Sequence, residues 1–258
     1  MNIAAKNVIP ADDIIVSAYI CFTYMAKKTL YLLILLPGMW LLACQPRLAP
    51  EPQRLGYDYF PLAVGQYRIY QVEAVYYRLG GNIDTVSYQL KEEVADRTVV
   101  GRDTVFTLLR SLRTTTADSW QPDSVWTARV NPYQAVVVEN NRPLIKLSFP
   151  VADNRKWDGN ALNGLDYDEF YWRNVGQEYD LDGQLYTSSA EMVKEDLIDP
   201  NQITADHYHV EIFSKGVGLI HRIDLDKKYC SPVDCSQPGI ILEGQVVEQK
   251  LLEFGTAD

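Results

Sequence analysis

The chain has 258 residues, 24 lysines and arginines against 34 aspartates and glutamates, and a net charge of −10. A chain this acidic repels phosphate backbones and anionic headgroups, which excludes nucleic acid as an expected partner. With 4 cysteines and 3 histidines, thiol and imidazole chemistry is confined to a few positions.

Residues 1–24 carry Asp12 and Asp13 and fit no secretory pattern, whereas Met25-Ala26-Lys27-Lys28 is a natural start. The expectation is that Met25 initiates and 1–24 is an extension outside the functional protein. From Lys27 the order is two cations, an apolar run from Leu30 to Leu42 broken at Pro37-Gly38, then Ala43 and Cys44. The run falls short of the ~20 apolar residues that a membrane span needs. Cations, apolar stretch and small residue in that order read as a signal peptide over 25–43. Leu41-Leu42-Ala43-Cys44 resembles the lipobox of bacterial lipoproteins. The resemblance implies cleavage before Cys44, a diacylglyceryl group on its thiol and acylation of its new amino terminus. Each buried acyl CH₂ contributes about 0.8 kcal/mol, so several chains on one residue hold a protein firmly at a membrane. The expected location is therefore the cell envelope, anchored at the outer membrane.

Residues 44–61, with Pro46, Pro50, Pro52 and Pro61, read as a Pro-rich tether, and 62–258 as a single β-rich domain. Tyr67 to Leu79 is rich in aromatic and β-branched residues and stops at Gly80-Gly81-Asn82, a strand followed by a turn. Val86, Tyr88 and Leu90 alternate with polar residues. Gly101-Arg102-Asp103 turns into Thr104–Leu112, and Asn131-Pro132 divides Ser124–Val130 from Tyr133–Glu139. Ile145, Leu147 and Phe149 share one face and Lys146 and Ser148 the other. Asp153 to Asp166 reads as a loop with Trp157 and Leu162 tucked into the body. Asp182-Gly183 is a strong hairpin signal after Asp168–Leu181. Glu191–Ile198 fits helix and strand periods alike and is taken as strand. His207–Phe213, Leu219–Leu225 and Gly239–Phe254 complete the pattern. The prediction is mainly β: an antiparallel meander of roughly ten strands forming a strongly curved sheet or partial barrel.

Phe60-Pro61-Leu62-x-x-Gly65-x-x-x-x-Tyr70, Trp157-Asp158-Gly159-Asn160 and Gly216-Val217-Gly218-Leu219-Ile220 resemble a set found in uncharacterised Gram-negative lipoproteins. This resemblance implies a shared β-rich envelope domain and no assigned chemistry. Gly65-Gln66-Tyr67 is loosely similar to the opening strand of lipocalins, with Tyr where Trp is expected, and the curved sheet is loosely like that of lipoprotein carriers.

Candidate sites are few. Cys230 and Cys235 are separated by four residues, too far for a Cys-x-x-Cys redox pair and without two further zinc ligands beside them. In an exported chain they are expected to form a structural disulfide. His207, His209 and Glu211 share one face of a strand, with His221 on the next. Two imidazoles and a carboxylate suit a metal, but an ordinary polar strand face is the expectation, and neither a metal nor a cofactor is assigned. Asp166, Asp168, Glu169, Asp180 and Asp182 read as solvated turns, and no catalytic residue is assigned. The 17 tyrosines and 5 tryptophans fit strands first and stacking surfaces second. The function expected is a non-enzymatic, lipid-anchored binding or assembly module. Its partners are the membrane, through acyl chains, and a small apolar, glycan or envelope-protein ligand. A carbohydrate-active hydrolase with paired carboxylates is the alternative.

Overall fold

Period-2 alternation along nearly every segment builds one antiparallel sheet. The computed structural model describes residues 52–101, 103–231, 233, 235 and 237–257. The signal segment, Cys44 and the tether as far as Glu51 lie outside the described residues. Twelve strands follow in order: β1 Gln66–Tyr77, β2 Ile83–Val100, β3 Asp103–Arg113, β4 Gln121–Val130, β5 Gln134–Glu139 and β6 Arg142–Ser148. The second half holds β7 Lys156–Asp158, β8 Glu169–Leu181, β9 Gln184–Leu197, β10 Ala205–Ser214, β11 Gly218–Tyr229 and β12 Ile241–Thr256.

The sheet order is β6-β5-β4-β3-β2-β1-β12-β11-β10-β9-β8-β7, a meander in which the first and last strands pair. Tyr70 thus sits between Leu90 and Leu251. The two outer edges, β6 and β7, approach each other: the Ile145 amide donates to Gly159 O at 3.0 Å, and Trp157 Nε1 donates to Ile145 O at 2.9 Å. The result is a nearly closed barrel, as the sequence pattern predicted.

Turn chemistry sets the register. Asp182 and Gly183 both take positive φ (52° and 90°), the pattern of a tight two-residue hairpin, and Leu181 pairs directly with Gln184. Asn140 and Asn141 (50° and 63°) do the same between Glu139 and Arg142 without a glycine, because asparagine tolerates the left-handed region.

Two expectations need correction. Residues 52–61 are not extended tether. Pro52–Leu55 forms one helical turn and Tyr57–Tyr59 a 3₁₀ turn, with Gly56 at φ 80° between them. Tyr59 is buried against Phe149, Trp172 and Phe213, and Gly216 N donates to Asp58 O at 2.7 Å. Apolar burial of one aromatic ring outweighs the extended preference of the flanking prolines. Within Asp153–Asp166, Lys156–Asp158 pairs with β8 as a short strand, and Leu162 is exposed while Trp157 packs on Phe170 and Trp172.

The Phe60-Pro61-Leu62, Trp157-Asp158-Gly159 and Gly216–Ile220 segments meet in this same region. Arg68, itself buried, donates from Nη2 to Pro61 O at 3.0 Å and from Nε to Val217 O at 2.5 Å. A Cβ on Gly218 (φ 93°) would stand 2.8 Å from that guanidinium, and one on Gly159 would stand 2.6 Å from the Phe170 ring. These residues are therefore where they are for packing.

Candidate functional site

The polar positions of β10 and β11 face each other in register. His207 lies opposite Asp226, His209 opposite Asp224, and Glu211 opposite Arg222. Cross-strand neighbours on one face stand close enough for their head groups to pair. His207 Nδ1 is 2.9 Å from Asp226 Oδ1, His209 Nδ1 is 3.1 Å from Asp224 Oδ1, and Arg222 Nε is 2.6 Å from Asp224 Oδ2.

Lys146 identifies this face as the inside of the barrel. Its Nζ donates to Glu211 Oε1 at 2.6 Å and to Glu139 Oε1 at 3.4 Å. Lys146 lies on β6 and Glu211 on β10, strands far apart in the sheet order, so their contact crosses the concave side. The alternation in β6 put Lys146 and Ser148 on the face opposite Ile145, Leu147 and Phe149. A register shift in the β5–β6 pairing falls at Lys146, and Leu147 and Phe149 pack in one cluster with the cavity-lining Phe170 and Met192, so polar and apolar residues of β6 both reach the covered side; Ser148 and Glu211 are buried. In a barrel both faces of a strand can be covered, one by the lumen and one by folded-back hairpins, so polarity alone does not mark the solvent side.

A cavity of about 710 Å³ opens on this face. Its charged lining is balanced: Arg142, Lys146, Lys194 and Arg222 against Glu139, Asp168, Glu211 and Asp224, with Phe170 and Met192 among the apolar members. Burial works against the Lys146 ammonium, but Glu139 and Glu211 outweigh it and hold the pKa above its ordinary value. Burial likewise pushes the Glu139 carboxyl up, and Lys146 and Arg222 more than reverse this, leaving it below the usual carboxylate value. Asp224 is held at about 2: the penalty of burial is overcome by the hydrogen bond to His209 and by the Arg222 charge. The hydrogen bond to Asp224 raises His209 despite partial burial. One acceptor in this network is unsatisfied. Among the described residues no donor reaches Glu211 Oε2, and the side chain is only 7% exposed.

The other sequence candidates separate. Glu211 leaves the two histidines and turns to Lys146, which corrects the metal set read from the strand; Glu195 and Asp226 approach the histidines instead. His221 points to the opposite face, between the Tyr179 hydroxyl (2.6 Å) and Glu248 Oε1 (2.9 Å), and burial lowers its pKa. Asp168 enters the cavity, paired with Lys194 at 3.2 Å. Glu169 pairs with Lys156, Asp180 accepts from Gly183 N, and Asp182 pairs with Lys250. Cys230 and Cys235 form a disulfide with Cα atoms 5.9 Å apart, and neither lines the cavity. Glu139, Lys146, Glu195, Arg222, Asp224 and Asp226 were missed in the sequence. The alternation of Arg222, Asp224 and Asp226 with Ile223 and Leu225 was the available signal, since it complements that of His207, His209 and Glu211. Among the described residues no helix is long and apolar enough to cross a membrane.

No family model, no curated protein and no solved structure matches this chain.

Proposed function

We propose that the protein is a lipid-anchored lipoprotein of the cell envelope whose barrel is a non-enzymatic binding module for a small, uncharged, hydroxyl-rich ligand of the glycan class. The observation that carries the reading is the cavity. Its volume of about 710 Å³ falls within the ~300–1,000 Å³ of small-molecule sites. Its charges cancel, and the buried Glu211 Oε2 still requires a donor. A ligand hydroxyl or amide N–H supplies that donor without adding net charge. An acyl chain would leave both Glu211 Oε2 and the ion pairs against hydrocarbon, a costly arrangement. Phe170, on the cavity wall, offers the apolar surface on which a sugar face packs.

Hydrolysis fits this lining less well. A glycosidase needs one carboxyl held protonated as general acid, whereas Lys146 and Arg222 keep Glu139 below the ordinary carboxylate pKa. Glu139 and Glu211 also flank the Lys146 ammonium rather than open space. The signal segment and Cys44 support the anchored placement.

Two measurements test the proposal. Calorimetric titration of the detergent-extracted protein with neutral N-acetylated oligosaccharides should show binding that Glu211→Gln weakens, and with decanoate none. Decanoate binding, or oligosaccharide binding unchanged in E211Q, refutes it. Intact-mass analysis should find a diacylglyceryl-modified Cys44 as the first residue, and an unmodified chain beginning at Met1 or Met25 would remove the anchor.

A further inference from the structure

We propose that Glu195, His207, His209 and Asp226 form a binding site for a divalent transition cation of the zinc type, where β9, β10 and β11 run side by side next to the cavity. The sheet register assembles it. His207 and His209 are two residues apart and share a face of β10; Asp226 of β11 stands opposite His207, and Glu195 of β9 opposite His209. Each of the four offers one ligand atom, and these atoms all lie within 4.8 Å of one another.

The separations suit a metal. Asp226 Oδ1 is 2.9 Å from His207 Nδ1 and 3.0 Å from His209 Nε2, and Glu195 Oε2 is 3.4 Å from His209 Nε2. Tetrahedral zinc with bonds of about 2.0–2.2 Å to nitrogen and oxygen sets neighbouring ligand atoms about 3.3 Å apart. The strands thus already hold the donors near the spacing that coordination requires.

The surroundings of His209 give a second, independent reason. Its Nδ1 faces Asp224 Oδ1 at 3.1 Å, and Asp224 is itself fixed by Arg222. A hydrogen bond from Nδ1–H to that carboxylate would leave Nε2, which faces Asp226 and Glu195, as the ring atom that meets a cation. At Nε2 a zinc ion would stand where the imidazolium carries its second proton, facing the same two carboxylates. A carboxylate behind a ligating imidazole, fixing its tautomer, is the usual outer support of a zinc site. Two neutral imidazoles and two carboxylates also balance a 2+ charge. Two nitrogen and two oxygen donors favour zinc-type ions over calcium or magnesium, which take oxygen alone. His207 and Glu195, with side chains 44% and 39% exposed, leave a path from solvent, while His209 at 16% is the fixed member.

The test is titration of the EDTA-stripped, detergent-extracted protein with zinc chloride by calorimetry and with cobalt chloride by visible absorption. One equivalent should bind with micromolar affinity or better, cobalt should give the intense band of a four-coordinate N/O site, and zinc should raise the melting temperature. His207→Ala and Glu195→Gln alter exposed side chains outside the core, and each should abolish the cobalt band while leaving the metal-free melting temperature unchanged. Asp224→Asn acts through His209 and should weaken zinc by about 10–100-fold with stoichiometry kept. No binding to the wild type, or equal binding to H207A and E195Q, overturns the assignment.

Discussion

Replacing Lys146 by methionine removes an ammonium that both Glu139 and Glu211 reach, at 3.4 and 2.6 Å. The three side chains are 14%, 17% and 7% exposed, so water replaces little of the lost interaction. Breaking a buried pair from one side costs about 3–5 kcal/mol because a charge is left unpaired. Arg222 Nε remains 3.8 Å from Glu211 Oε1, which places the expected loss near the lower end of that range. The pH dependence follows from the directions of the shifts. Glu139 has a folded pKa below 4.5, so its contribution is complete above the unfolded value and disappears as pH falls through the folded one. Lys146 lies above 10.5, so its contribution is present below the unfolded value and is lost as pH rises through the folded one. Urea denaturation across pH should therefore show K146M less stable at neutrality and less pH-dependent at both extremes. Adding Glu211→Gln to K146M should recover part of the loss. A K146M protein within about 0.5 kcal/mol of wild type, the usual effect of a surface change, would refute the interior placement of this network.

Two further perturbations probe the packing around Tyr59 and Arg68. Tyr59→Ala empties a fully buried aromatic position among Phe149, Trp172 and Phe213, and should cost about 3–5 kcal/mol in chemical denaturation; a loss under 1 kcal/mol would return residues 52–61 to the role of a tether. Gly218→Ala places a Cβ 2.8 Å from the Arg68 guanidinium at φ 93°, for an expected cost of about 1–3 kcal/mol, read as a lower melting temperature.

The curved β meander was legible because the long strands each carried their own signal. Val86-x-Tyr88-x-Leu90 gave the period, and Asp182-Gly183 and Gly80-Gly81 gave the turns. The long-range pairings were not legible: β1 with β12 joins residues as far apart as Gln66 and Thr256, and the approach of the edge strands β6 and β7 brings Ile145 to Gly159, and no local pattern encodes either. Lys156–Asp158 was hidden by its brevity. Tyr59 was hidden by the prolines around it, whose local preference is overridden by a pocket that exists only in the assembled barrel. At the site, period-2 reading correctly put His207, His209 and Glu211 on one face but could not say which side faced inward. Glu195 and Asp226 join the histidines through register, with a bulge between His209 and Val210 against β9, and register is a property of strand pairs rather than of one segment.

The central claim is that the cavity beside Lys146 and Glu211 holds a hydrophilic ligand on an anchored barrel. Native mass spectrometry of the protein released gently from its membrane tests it most directly. The expected spectrum shows a lipidated chain starting at Cys44 with a polar, uncharged adduct that is lost in E211Q. An acyl-lipid adduct that persists in E211Q, or a chain that carries no adduct at all, would contradict it.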